Sequence, residues 1–176
     1  YKAGRLDIHA FLRFSLRPLR ENDPQQLRDW REEFLHDKID PIICEGSRRL
    51  IEKHRSAGDE LLIITATNAF VTAPIAERLG VRHLIATEPE EIEGYYTGEV
   101  TGEPSFREGK VNRLNRWLAE HGMNLDGSWF YSDSHNDLAL LEKVEHPVAV
   151  DPDEILAELA RARGWPIISL QGENGP

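Results

Sequence analysis

The chain of 176 residues has a single cysteine, Cys44, which excludes an internal disulfide and any thiolate metal cluster. That scarcity agrees with a reducing compartment, where Cys44 reads as a small buried side chain. No apolar run approaches the length of a membrane span and no charged-then-apolar segment opens the sequence, so a soluble, cytoplasmic protein is expected. Positive charge is short too: 21 Lys+Arg stand against 31 Asp+Glu, a net charge of -10. That balance argues against nonspecific nucleic-acid binding, which needs a basic face to release counterions from phosphates. It leaves room for a phosphate pocket, because one local cation and one metal hold a phosphoryl group on an acidic protein.

Several catalytic motifs are also missing. Gly109-Lys110 lacks the leading glycine of a P-loop, since Pro104 stands there, and Val111 replaces its hydroxyl residue. There is no G-x-S-x-G elbow and no dinucleotide fingerprint. The seven histidines show no H-E-x-x-H spacing, which speaks against a zinc hydrolase. His135 reads as a surface residue on a loop.

What is present centres on residues 129–141. An apolar strand from Trp129 runs into Ser132-Asp133-Ser134-His135-Asn136-Asp137, and the four-residue spacing of Asp133 and Asp137 predicts one face of a first helical turn. Two carboxylates about 4 Å apart repel by roughly 4 kcal/mol at an effective dielectric of about 20, so their pairing calls for a cation. Oxygen-only ligands at a strand end suit Mg²⁺, and an EF-hand loop is excluded because Leu138 and Val144 occupy its glycine and glutamate positions. The plainer alternative makes Asp133 a helix cap and Asp137 a solvated first-turn acid.

Around that stretch the chain divides in two. Ile8, Phe11, Leu12, Leu16 and Leu19 form a helical stripe over 7–19. After a turn, Asp23 as N-cap, Pro24 at the first position and Gln26 open a second helix. It carries Leu27, Trp30, Phe34, Leu35 and Ile39 on one side, with Arg28, Arg31, Glu32 and Lys38 off the stripe, and it ends before Pro41. Two such helices without a strand suggest a helical subdomain.

Beyond Pro41 a helix through Leu50, Ile51 and His54 stops at Gly58. Leu61 to Ile64 then reads as a buried strand ending in Thr65-Ala66-Thr67-Asn68, with a helix closed by Gly80. A strand over 83–87 follows, then a β-hairpin around Tyr95, Tyr96, Gly98 and Val100. A helix from Gly109-Lys110 to Gly122, the strand at Trp129, a strand over 147–150, a helix over 152–163 and a short strand over 165–168 complete the pattern. The alternation implies an α/β fold: a Rossmann-like parallel sheet with helices on both faces, its ligand at the carboxyl ends of the strands. Domain bounds are expected at 1–41 for a partial helical cap and 42–171 for the core, with 172–176 a frayed tail.

Thr65 after one strand, Lys110 opening a later helix, and Asp133 with Asp137 after the next all emerge at that ligand-facing end. Each has a bland reading, as a strand terminus, a solvated charge and a cap. Together they offer a hydrogen-bond donor, a cation and a metal site, the needs of phosphoryl transfer. Ile63-Ile64-Thr65-Ala66-Thr67-Asn68, then Glu108-Gly109-Lys110-Val111, then Tyr131-Ser132-Asp133-Ser134-His135-Asn136-Asp137 resemble motifs two, three and four of the haloacid dehalogenase superfamily. The closer likeness is to its phosphoserine-phosphatase-like subclass, which includes histidinol-phosphatase relatives. The hairpin before Lys110 and the helices before Pro41 resemble that subclass too.

The resemblance implies a Mg²⁺-dependent phosphatase that hydrolyses a small phosphorylated metabolite through a phosphoaspartate. By position, Thr65 binds the phosphoryl oxygen and Lys110 neutralises charge as catalytic residues. Asp133 binds the metal and Asp137 supports it, while Thr67, Asn68 and Asn136 are candidate substrate contacts. Side chains after Thr65, where phosphoserine phosphatases carry glycines, narrow the approach and favour a broader phosphomonoester class with histidinol phosphate among its members.

The family's D-x-D-x-T run on the first, central strand is absent: Asp7, Asp23, Asp29, Asp37, Asp40 and Asp59 lack both the preceding strand and the paired aspartate. Its loss predicts two half-sheets with unpaired edges. Tyr1-Lys2-Ala3-Gly4 reads as a helix end. The natural protein is therefore expected to carry roughly 40 to 60 further N-terminal residues at ordinary element lengths, and the chain as given to be inactive. The alternative is a catalytically inactive relative that binds phosphate or a protein partner. A phospho-accepting receiver domain is disfavoured by motif order.

Overall fold

The computed structural model describes residues 7–171, so the expectations for 1–4 and for the tail at 172–176 lie outside the described residues. In chain order the elements are α1 (Ile8–Glu21), α2 (Pro24–Phe34), α3 (Glu45–Ala57), β1 (Leu62–Asn68), α4 (Ala69–Arg78), β2 (His83–Thr87), β3 (Pro89–Ile92) and β4 (Tyr95–Val100). Then come α5 (Glu108–His121), β5 (Trp129–Ser132), α6 (Leu138–Leu141), β6 (His146–Val150), α7 (Glu154–Arg163) and β7 (Ile167–Ile168). They form two compact units, one from the segment through Ile42 with Leu62–Phe106, the other from Ile43–Leu61 with the segment from Arg107 onward.

In the first unit, Asp7 caps α1 through the His9 and Ala10 amides, and Asp23 caps α2 through those of Gln25 and Gln26, with Pro24 pre-set at the first position. Leu16, Leu19 and Leu27 bury against Phe70, Tyr96 and Val100, so the first two helices share a core with α4 and the hairpin. The expected stripe on these helices is only partly buried. Phe11, Trp30 and Phe34 are 44%, 47% and 43% exposed, while Leu35 is fully buried. Beyond Phe34 the chain continues as a π-helical turn, Leu35–Ile39, whose wider winding departs from the 3.6-residue phase.

The off-stripe charges are used within the unit. Arg31 donates to the Phe70 carbonyl at 3.2 Å with its guanidinium 4.7 Å above the Phe70 ring. Arg78 of α4 binds Glu32 at 3.2 Å and Asp40 at 3.0 Å.

β1 and β2 pair in parallel from Leu62↔His83 to Ile64↔Ile85, and the register then shifts before Asn68↔Thr87. β1 is longer and less buried than the sequence suggests, half-buried at Ile63 and Ile64 and continuing through Asn68. β3 and β4 are antiparallel about Glu93-Gly94, whose φ values of 53° and 86° suit the twist-matched hairpin turn.

The second unit holds a parallel sheet in the order β5-β6-β7. Leu141, Ala149, Leu156 and Ala160 form its dry core, with Phe130 and Trp165 packed on them. α3 is fastened to β5 by His54, which is hydrogen-bonded through Nε2 to the Tyr131 hydroxyl at 2.7 Å and through Nδ1 to Asp59 at 2.6 Å. Cys44 is half-buried rather than buried, its thiol donating to the Leu170 carbonyl at 3.1 Å.

The parallel pairing is as expected, and it falls into a two-stranded and a three-stranded ladder; no ladder joins β1 to β5 among the described residues. Among the described residues no helix is long and apolar enough to cross a membrane.

Close approach of α3 to the last segment supplies a stability test. A Cβ at Gly46 would sit 2.3 Å from the Leu170 carbonyl oxygen. Gly46→Ala is expected to cost about 1–3 kcal/mol, read by urea denaturation.

Candidate active site at the carboxyl end of the third parallel strand

Lys110 and Asp137 meet in a buried ion pair, Nζ to Oδ1 at 2.5 Å, with side-chain exposures of 9% and 11%. Lys110 lies in the first turn of α5; Asp137 closes a short 3₁₀ turn, His135–Asp137, after β5. The other oxygen of Asp137 accepts from the buried Ser132 hydroxyl at 2.9 Å, and Ser132 Oγ in turn accepts from the Ser134 amide at 3.1 Å. Both oxygens of Asp137 are thus engaged, one by a cation and one by a hydroxyl.

This corrects the expected geometry of the acid pair. Asp133 and Asp137 do not share a helical face, because Asp133 precedes the turn and is exposed, whereas Asp137 ends it and is buried. The neutralising charge inferred from their spacing is supplied to Asp137 by Lys110.

The loop carrying Asp133 is held from α7. The Asp133 carbonyl accepts from the Asp153 amide at 2.8 Å. Asp153 Oδ2 accepts from the His135 amide and is bonded to His135 Nδ1, each at 2.9 Å, while Oδ1 caps α7 through the Leu156 amide at 2.8 Å. The carboxylate can only accept here, so Nδ1 carries the proton. Burial pushes the Asp153 carboxyl up, but the hydrogen bonds from Leu156 and His135 prevail and hold it below its ordinary range. Asn136 is half-buried, its side-chain amide donating to Ser134 Oγ at 3.2 Å. His135 is therefore an oriented residue, not a loose surface one. Sequence reasoning missed Asp153, whose available signal was an acid pair, Asp151 and Asp153, directly after a strand.

Lys110, Asp133, Asn136 and Asp137 fall in the second unit, where Lys110 and Asp137 meet; Thr65, Thr67 and Asn68 belong to the first. Thr65 and Thr67 fall within the register shift of β1, with Thr65 Oγ1 accepting from the Thr67 amide at 3.1 Å. The side-chain oxygen of Asn68 caps α4 through the Val71 amide at 3.2 Å.

The donor set suits a hard cation. Asp133 keeps a carboxylate that makes no hydrogen bond or ion pair among the described residues, and no group of three or more His, Cys, Asp and Glu gathers there for a metal. One free oxygen ligand fits Mg²⁺, which retains several waters and takes one or two protein carboxylates. It does not fit zinc, which needs a nearly complete protein shell.

Residues 1–142 match the haloacid dehalogenase-like hydrolases. The chain belongs to this family. Among family members, a histidinol-phosphatase of Neisseria meningitidis is 43% identical over 97% of the chain and 79% of its own length. A phosphoserine phosphatase of Mycobacterium tuberculosis is 35% identical over 94% of the chain, which spans 54% of that relative. Other curated relatives are likewise spanned over about half their length. A crystal structure of a Bordetella pertussis protein of unknown function superposes with a TM-score of 0.91 at 48% identity, covering 97% of this chain and 78% of that one. A phospho-aspartyl intermediate analogue of a phosphoserine phosphatase matches at 0.66 and 22% identity, over 96% of this chain and 75% of that one, which establishes the shared fold.

Two outcomes follow from the buried groups. Lys110→Met strands the Asp137 carboxylate and is expected to lower stability by about 3–5 kcal/mol in urea, whereas Lys110→Met with Asp137→Leu recovers most of the loss. Because Asp153 has a folded-state pKa below its unfolded value, its contribution is complete above the unfolded carboxylate range and lost as pH falls through the folded one. Asp153→Asn should therefore show a shallower fall of Tm than the parent between about pH 6 and about pH 3.

Proposed function

We propose that the full-length protein is a Mg²⁺-dependent phosphatase that hydrolyses a small phosphomonoester through a phosphoaspartate, with histidinol phosphate or a phosphoserine-like compound as substrate. The observation that carries this reading is the buried Lys110–Asp137 pair after β5, on the stretch that also carries an Asp133 carboxylate with no bond among the described residues, in a haloacid dehalogenase-like chain. The 43% identity to a histidinol-phosphatase over 97% of the chain supports the substrate class.

In this reading residues 1–41 belong to the cap and 42–171 to the catalytic core. Thr65 donates its hydroxyl to a phosphoryl oxygen, and Thr67, Asn68 and Asn136 contact substrate. The Lys110 ammonium, fixed by Asp137, faces the phosphoryl group and offsets its charge in the transition state. Asp133 holds Mg²⁺, and Asp137 acts one layer back by keeping Lys110 and Ser132 in place. The bound ion supplies charge stabilisation to the phosphoryl oxygens.

No residue of this sequence is assigned the role of the nucleophilic aspartate, or of the aspartate that protonates the leaving oxygen and then activates water. We place the full-length enzyme in the cytoplasm, acting on a phosphorylated metabolite rather than on nucleic acid or membrane. The second reading is an inactive relative that binds phosphate or a partner.

Turnover of a generic aryl phosphate by the full-length gene product separates the two. Activity is expected only with Mg²⁺, with kcat reduced about 100- to 1000-fold by Lys110→Ala and by Asp133→Asn, and with kcat/KM higher for histidinol phosphate than for phosphoserine. Phosphate binding without turnover would leave the inactive reading in possession.

A further inference from the structure

Among the described residues the Asp133 carboxylate makes no hydrogen bond or ion pair, so what the structure holds in place is its backbone. That backbone is held at two points by one residue of a different element. The Asp133 carbonyl accepts from the Asp153 amide, and the His135 amide, two residues on, donates to Asp153 Oδ2. A helix cap needs one carboxylate oxygen, and Oδ1 already serves Leu156. The second oxygen is left to two His135 donors, the amide and the ring, both at 2.9 Å.

Asp153 itself stands on a constrained turn. Asp151 has φ 42°, in the left-handed region that residues other than glycine seldom adopt, and Pro152 follows with a fixed φ. Asp151 is held there by its amide donating to the Ile168 carbonyl at 2.9 Å and its carboxylate accepting from the Leu170 amide at 3.2 Å. Strained backbone of this kind persists where surrounding bonds over-determine it, and it concentrates at functional sites.

We propose that Asp153 is a positioning residue for Asp133: through the 133 carbonyl, the 135 amide and the 135 imidazole it fixes the direction of the carboxylate that takes the divalent cation. The inference rests on the phosphatase reading above. Helix capping alone would not require the second oxygen, the ring of His135 or the strained turn. Partners that orient a metal ligand from outside the coordination shell carry about 10- to 100-fold in metal affinity.

Asp153→Asn in the full-length protein tests this, because asparagine keeps an oxygen for the Leu156 amide and the main-chain bond to Asp133 but presents an NH₂ to the two His135 donors. Hydrogen exchange at the His135 amide is expected to quicken about 10-fold or more while Leu156 stays within about 2-fold of the parent. Mn²⁺ affinity, titrated on the free protein without substrate, is expected to fall about 10- to 100-fold, with kcat restored by excess metal and KM for the phosphoester unchanged. His135→Ala, which removes only the ring, should weaken Mn²⁺ binding less.

Unchanged His135 exchange, or faster exchange with unchanged Mn²⁺ affinity, overturns the positioning role while the phosphatase reading stands. A parent protein that binds no divalent ion overturns both.

Discussion

A lysine ammonium and an aspartate, both about nine-tenths buried, are the constraint around which the second unit is arranged. Taking two charges out of water costs several kcal/mol per ion, and the attraction between them repays it only when the remaining oxygens are also satisfied. Ser132 meets that condition for Asp137, and the Ser134 amide in turn occupies Ser132. One ion pair therefore joins α5, the last residue of β5 and the 3₁₀ turn, three elements that sequence-local forces would leave independent. A buried pair of this sort adds little net stability over a well-packed apolar pair.

Local rules account for much of the fold. Asp7, Asp23 and Gly58 mark helix ends as capping chemistry predicts, and Gly122 and Gly164 adopt the left-handed cap conformation at φ 64° and 68°. The alternation of strands and helices was equally legible, as was the hairpin. Long-range partners were not. Lys110 and Asp137 are 27 residues apart, and His135 and Asp153 are 18 apart, separations at which no periodicity reports a contact. The spacing of Asp133 and Asp137 misled because it assumes 3.6 residues per turn, while the chain there leaves a strand through a bend and a 3₁₀ turn. The same assumption failed at Leu35–Ile39, where the winding widens instead of tightening. In both places the hydrophobic and acidic residues were identified correctly, and the local helical pitch was not.

The two units use charge differently. In the first, Arg31 fastens α2 to the Phe70 backbone and Arg78 fastens α4 to Glu32 and Asp40, contacts that are half-exposed and therefore individually worth little in water. In the second, the charges that matter are buried or bound to backbone amides, where each bond is stronger and its geometry narrower. The first arrangement tolerates small displacements of a helix. The second resists them, as suits a segment that carries a carboxylate to a defined place.

His54 adds to that resistance through Tyr131, the residue before Ser132 in β5. Its two ring nitrogens face a carboxylate, Asp59, and a phenol, Tyr131, and a phenol both donates and accepts. The strand and the loop that follows it are therefore held from two different helices, α3 through Tyr131 and α7 through Asp133 and His135.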